Sequence, residues 1–114
     1  LPIYMFIGIG GGPEGVLAAS ALDTYDCHFQ GRFIFDMKKD IDEARSMGIK
    51  DLDKKYELNE IVRGDSIFCA TGITSCNVLK GITINNDKFI SETLVTHKDS
   101  NFKKIVKTNN PINE

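Results

Sequence analysis

Three short segments carry residue types and spacings that could do chemistry. The first is Gly10-Gly11-Gly12-Pro13-Glu14-Gly15. Glycines that follow an apolar run and open a helix leave backbone N–H groups aimed at one spot, and such a spot attracts anions, phosphate above all. Glycine suits the position because a side chain would block close approach of the backbone. Glu14 has the wrong charge for a bare phosphate, and a carboxylate there makes sense with a divalent cation between the two. The plainer reading is a tight strand-to-helix connection without a ligand. The second segment is Gln30-Gly31-Arg32, whose guanidinium could grip phosphate bidentately or simply form a surface ion pair. The third is Ala70-Thr71-Gly72-Ile73-Thr74, at the end of an apolar run. Ligands of open α/β sheets bind beyond the carboxyl ends of strands, which would set Thr71 and Thr74 near the first turn, with ordinary turn chemistry as the alternative.

The first segment also fits GxGxxG, and Asp36 follows some twenty residues on, as in a dinucleotide fold. That fit is weak, because Pro13 starts the helix inside the motif and Glu14 would face the pyrophosphate. His28 and His97 have no partner at ligand spacing and are read as structural or solvated. No serine sits in a nucleophile elbow. Cys27, Cys69 and Cys76 are an odd number without a CxxC pair, which argues for a reducing, cytoplasmic setting and against a disulfide framework or zinc site.

The elements that must position these segments follow from the pattern. Tyr4–Ile9 is continuously apolar and predicts a strand buried on both faces, as in a parallel sheet. Pro13 and Glu14 suit a helix first turn, and the helix runs to about Tyr25. Arg32–Phe35 predicts a second strand, Lys39–Met47 a second helix stopped by Gly48, and Tyr56–Val62 a short strand and helical turn ending at Gly64. Ser66–Ala70 predicts a third strand. Gly81–Ile84, Phe89–His97 and Phe102–Val106 read as β runs separated by turns at Asn85-Asn86-Asp87 and Asp99-Ser100-Asn101. The expected architecture is α/β, a mainly parallel sheet with flanking helices plus antiparallel C-terminal strands. One domain spans residues 1–107, and a polar tail at 108–114 is expected to fray.

Of the 114 residues, 41% are hydrophobic and 26% charged, an ordinary globular composition. The net charge of −2 provides no basic field for nucleic acid or an anionic membrane. No apolar stretch approaches the roughly 18 residues of a membrane span. The sequence opens on Leu1 without the features of a signal peptide, and is expected to start inside a longer protein.

Taken together, the segments resemble the C-terminal part of class II fructose-1,6-bisphosphatases, the GlpX-type enzymes. The likeness lies in Gly8–Ala19, Gln30-Gly31-Arg32, Met47-Gly48-Ile49, Gly64–Thr74, Leu79-Lys80-Gly81 and Glu92-Thr93-Leu94. These blocks fall in the family's order over nearly the whole chain, and Gly-Gly-x-Pro-Glu-Gly with Ala-Thr-Gly-Ile-Thr is specific in combination. The resemblance implies a layered α/β sugar-phosphatase fold. It implies metal-dependent hydrolysis of the 1-phosphate of fructose 1,6-bisphosphate in gluconeogenesis and glycerol metabolism, with Mn²⁺ or Mg²⁺. By likeness Glu14 is a metal ligand and Gly11 touches substrate through its backbone; Gly12, Arg32 and Thr71 are the further substrate-binding candidates.

The remaining metal-binding carboxylates belong to the family's N-terminal part, so the catalytic residues proper are not assigned in this chain. The family has an aspartate and a methionine where this sequence has His28 and Phe29, and an acidic turn where it has Ser75-Cys76-Asn77. The chain is therefore expected to act with a complementary N-terminal half, or to be a fragment inactive by itself. The alternatives are a non-catalytic remnant that binds phosphate weakly and, less favoured, a dinucleotide-binding module. A fragment of a larger fold should also expose apolar surface beside the glycine turn and tend to self-associate, for example as a homo-oligomer.

Overall fold

The computed structural model describes residues 5–112. Its elements in order are α1 (Gly12–Asp23), β1 (Gln30–Gly31), α2 (Lys38–Ser46), β2 (Tyr56–Glu57), α3 (Leu58–Ile61), β3 (Ile67–Thr71), β4 (Thr83–Asn85), β5 (Lys88–His97) and β6 (Phe102–Pro111). Pro13 and Glu14 lie in the first turn of α1, where a missing N–H and a negative charge cost nothing. Ala19, on the inner side of that helix, is fully buried. Gly48 adopts φ +94° after α2. Its N–H donates to the Arg45 carbonyl and the Ile49 N–H to the Ala44 carbonyl, each at 3.0 Å. These two bonds satisfy carbonyls that the helix end leaves free, and they require the left-handed residue that glycine supplies.

A four-stranded antiparallel sheet dominates the second half. β5 is its centre. Along its full length it pairs with β6, while its other edge pairs with β3 over Thr93–His97 and with β4 over Lys88–Ile90. The connections are short: Asn86-Asp87 joins β4 to β5, and residues 98–101 join β5 to β6. Asn86 (φ 53°) and Asn101 (φ 51°) take the left-handed conformation that asparagine tolerates in such turns. Hydroxyl pairs lock the register: Thr71 with Thr93 and Ser91 with Thr108, both at 2.8 Å. A second, two-stranded antiparallel sheet pairs β1 with β2.

The α/β character, the helices and the antiparallel C-terminal hairpins agree with the sequence reading. The mainly parallel sheet does not form among the described residues, where every pairing is antiparallel. The expected first strand is unpaired: Met5–Ile9 is irregular and exposed, and Tyr4 lies outside the described residues. Arg32–Phe35 is likewise not strand. Aromatic packing holds it instead, with the Phe33 ring 5.9 Å from that of Phe35 and 5.8 Å, edge-on, from that of Tyr56. The physical reason is shared, because a strand buried on both faces needs hydrogen-bonding neighbours on both sides and this segment meets none. At the other end β6 continues through Pro111, so residues 108–111 of the expected fraying tail are paired strand, while 113 and 114 lie outside the described residues.

The whole is open. Its radius of gyration is 18.2 Å, against about 13 Å for a compact domain of this length. Its accessible surface is 9356 Å², against about 6,200 Å² for a compact monomer of this mass. Phe6, Ile7 and Ile9 are each at least four-fifths exposed, immediately before the glycine turn.

Candidate functional site

The N-terminus of α1 is built around Gly11. Its backbone is extended (φ −69°, ψ 157°) as the cap residue, with no side-chain cap, and its carbonyl accepts the Gly15 N–H at 3.1 Å. Glu14, at the third helical position, folds back so that a Cβ on Gly11 would overlap its carboxylate. A Cβ on Gly10, Gly12 or Gly15 would meet nothing. The one contact a Cβ would meet at these four positions is thus the far end of the exposed Glu14 side chain, at Gly11. The turn is exposed, and it sets the partial positive charge of free N–H groups beside one negative carboxylate. That arrangement suits a cation bridging Glu14 and an anion better than either ion alone.

The other two candidates lie elsewhere. Arg32 is exposed just past β1 and makes no ion pair among the described residues. Thr71 ends β3 and spends its hydroxyl on Thr93. The loop from Gly72 to Gly81 is a compact coil. The Ile82 N–H donates to the Ile73 carbonyl at 3.1 Å, Gly81 N–H to Ser75 Oγ at 2.9 Å, and Lys80 N–H to a Glu92 carboxylate oxygen at 2.8 Å. A Cβ on Gly81 would come within 2.7 Å of the Ile73 oxygen and the Ser75 nitrogen, so the loop closes only on glycine. Thr74 is part of that closure.

Two open depressions are bounded by Asn85–Lys88, Ile90 and Asn109 in one case, and by residues 26–29, 57–59, Asp23 and Lys98 in the other. Neither unites Gly11, Gly12, Glu14, Arg32 and Thr71. Among the described residues no three His, Cys, Asp or Glu side chains converge on a metal position. The donors present fit one ligand of such a centre and do not build one alone. The dinucleotide reading also loses its supports, since neither the glycine turn nor Asp36 follows a paired strand.

The sequence reading treated His97 as structural or solvated and did not foresee its partners. Its Nε2 lies 2.6 Å from Asp65 Oδ2 and its Nδ1 2.7 Å from Ser100 Oγ. Asp65 Oδ1 accepts the Ser66 and Asp99 N–H groups at 2.9 and 3.0 Å. The imidazole bond, first, and these N–H donors hold the Asp65 carboxyl below the usual carboxylate range. The cluster pins the β5–β6 turn to the entrance of β3, and neither cavity reaches Ser100. The signal that could have found it is register: Ile67 faces His97 across the ladder, so Asp65 must lie beside the turn that follows. Cys76 has a lowered thiol, because backbone N–H groups of Leu79 and Val78 point at its sulfur.

Comparison with known proteins bears on this arrangement. A family model described as bacterial fructose-1,6-bisphosphatase, glpX-encoded, matches residues 2–110. Three cyanobacterial relatives are named D-fructose 1,6-bisphosphatase class 2/sedoheptulose 1,7-bisphosphatase. The protein of Trichormus variabilis is 33% identical, that of Synechococcus sp. (strain JA-3-3Ab) 35% and that of Gloeobacter violaceus 33%. Each match covers 93% of this chain and 34% of the relative. The chain spans about a third of the length of the curated relatives it matches.

Proposed function

The chain belongs to the glpX-encoded bacterial fructose-1,6-bisphosphatase family, and from that premise we propose that it is the C-terminal third of a metal-dependent sugar bisphosphatase. The substrate is fructose 1,6-bisphosphate, with the sedoheptulose bisphosphate named for its relatives as a second. The observation that carries the reading is the exposed α1 entrance, where the Glu14 carboxylate lies beside Gly11 at the end of the helix that leaves backbone N–H groups free.

In this reading Glu14 gives one carboxylate to a Mn²⁺ or Mg²⁺ centre whose other ligands come from the rest of the family's fold. A bound divalent ion would supply charge neutralisation and an activated water for in-line attack on phosphorus. The chain's own part is positional. Gly11 and Gly12 N–H groups receive phosphoryl oxygens, which the negative Glu14 would repel unless a cation lay between. Arg32 and Thr71 contribute substrate contacts only if the complete fold brings them to the turn. The domain reaches Pro111, where β6 ends, and the setting is cytoplasmic sugar-phosphate metabolism.

The test is to combine this chain with the remaining portion of the Trichormus variabilis enzyme and Mn²⁺ and to measure phosphate release from fructose 1,6-bisphosphate. Release that appears only in the combination, and disappears with Glu14→Gln, is the expected result. An inert combination beside an active intact relative would remove the reading. A second reading, a non-catalytic remnant, is favoured by the lack of a three-ligand cluster among the described residues. It predicts that the combination stays inert even when the two parts associate.

A further inference from the structure

Helix α1 carries no basic residue in its last turn, so nothing in the helix itself offsets the negative end of its dipole or meets its last carbonyls. Its final residue, Asp23, adds a carboxylate at the end where negative charge is least favoured, and that side chain is only 10% exposed. The β5–β6 turn supplies what the helix lacks. Lys98 Nζ donates to the Asp23 carbonyl at 2.7 Å and lies 3.0 Å from its Oδ1. Lys103 Nζ donates to the Thr24 carbonyl and to Asn101 Oδ1, both at 2.9 Å, and sits 5.3 Å from the centre of the Tyr25 ring. The turn that carries both lysines is itself fixed to the entrance of β3, because Asp65 accepts the Asp99 N–H and pairs with His97.

We propose that Lys98 and Lys103 are positioning residues for the glycine turn at the opposite end of α1, an inference that rests on the bisphosphatase reading. The argument is that of a lever. Ala19 is fully buried in the middle of the helix, while Val16 and Leu17, nearer the entrance, are half exposed. The residues that lead into the helix, Met5–Ile9, are exposed and pair with no strand among the described residues. Five residues separate Ala19 from Glu14 and five separate it from Thr24, so each arm is about 7.5 Å long. A helix that pivots at Ala19 moves its entrance as far as its other end moves. The two lysines stop that motion at residues 23 and 24. The demand at the entrance is tight, because Mg²⁺ takes a near-ideal octahedron and a misplacement of about 1 Å costs about 10²-fold in rate.

The test uses Lys98→Met with Lys103→Met, the corresponding pair of arginine substitutions as the conservative rescue, and Lys104→Met as a charge control. Lys104 pairs with Val95 and projects to the other side of the sheet. The first readout is amide hydrogen exchange in the chain alone, followed by NMR at Gly15, whose N–H donates to the Gly11 carbonyl at the entrance. The double methionine variant should exchange that amide at least tenfold faster, with the amides of β5 unchanged. The second is the Mn²⁺ concentration giving half-maximal phosphate release from fructose 1,6-bisphosphate when the chain is combined with the remaining portion of the Trichormus variabilis enzyme. It should rise at least fivefold in the methionine pair, return with the arginines and stay in place in Lys104→Met. Unchanged exchange at Gly15 overturns the proposal. So does faster exchange with an unmoved Mn²⁺ requirement, which would leave the lysines a structural role alone. A parent combination that releases no phosphate removes the bisphosphatase reading instead, and the grip on the entrance is then decided by the Gly15 amide.

Discussion

The β5–β6 ladder and the lead into α1 both read as strand in the sequence, and only the first is one. β5 finds β6 across a four-residue turn, so the partner arrives with the chain, and ten consecutive residues on each side pair in register. Met5–Ile9 has as strong an apolar run and pairs with nothing described. The difference is one of sequence distance. A hairpin strand carries its neighbour beside it, whereas a strand bound for the middle of a parallel sheet depends on neighbours that crossovers bring from far away. The ladder builds its own sheet, and the apolar lead that finds no strand partner among the described residues is the one that runs into the candidate site.

This contrast can be broken at several points. The largest effect is expected at the turn. Glu14→Gln should lower phosphate release by the completed assembly about 10²–10³-fold, the scale of losing one preorganised charge contact, while thermal melting of the sheet stays unchanged. Gly11→Ala should act in the same direction but much more weakly, because its methyl group meets only the flexible end of the exposed Glu14 side chain, which can turn aside. Its readout is the same pair of measurements, and a loss of melting temperature matching the loss of activity would contradict it. In the sheet half the largest expected effect is Gly81→Ala. Its Cβ meets backbone atoms of Ile73 and Ser75 that cannot swing away, and overpacking of this kind costs about 1–3 kcal/mol in a denaturation experiment.

Asp65 gives a pH-dependent effect. Its folded-state carboxyl titrates below the unfolded value, chiefly through the His97 bond. Its contribution to stability is thus present above the unfolded value of about 3.9 and is lost as pH falls through the lowered folded one. Melting temperature measured from pH 7 down to 3 should fall less steeply in Asp65→Asn than in the parent chain. The smallest effect is expected from Lys54→Ala. The 2.8 Å Lys54–Glu60 pair is exposed, and removing it should leave the melting temperature unchanged within error.

Elements whose partners are local were legible in the sequence: both main helices, the Gly48 stop, the asparagine turns and the C-terminal hairpins. The glycine turn was legible as a helix entrance with a carboxylate, and the approach of that carboxylate to Gly11 emerged only from the fold of the Glu14 side chain. Parallel pairing was not legible, because an apolar run states a need for neighbours without supplying them. The Asp65–His97–Ser100 cluster was missed for a related reason: its members lie 32 and 3 residues from His97, and only strand register brings the distant one into reach. Thr71, read as a substrate contact or as turn chemistry, has its hydroxyl bonded across the strands to Thr93, a partner that only register reveals.

The short turn between β5 and β6 has a consequence in time. Hairpins of local sequence close in about 1–10 μs, while assembly of separate domains takes milliseconds or longer. The β5–β6 hairpin can therefore form as an early nucleus, before the longer-range pairings of β3 and β4. The other edge of β5 then stands ready for β3 and β4 to pair along it, and slowing closure of the turn at residues 98–101 would delay both pairings.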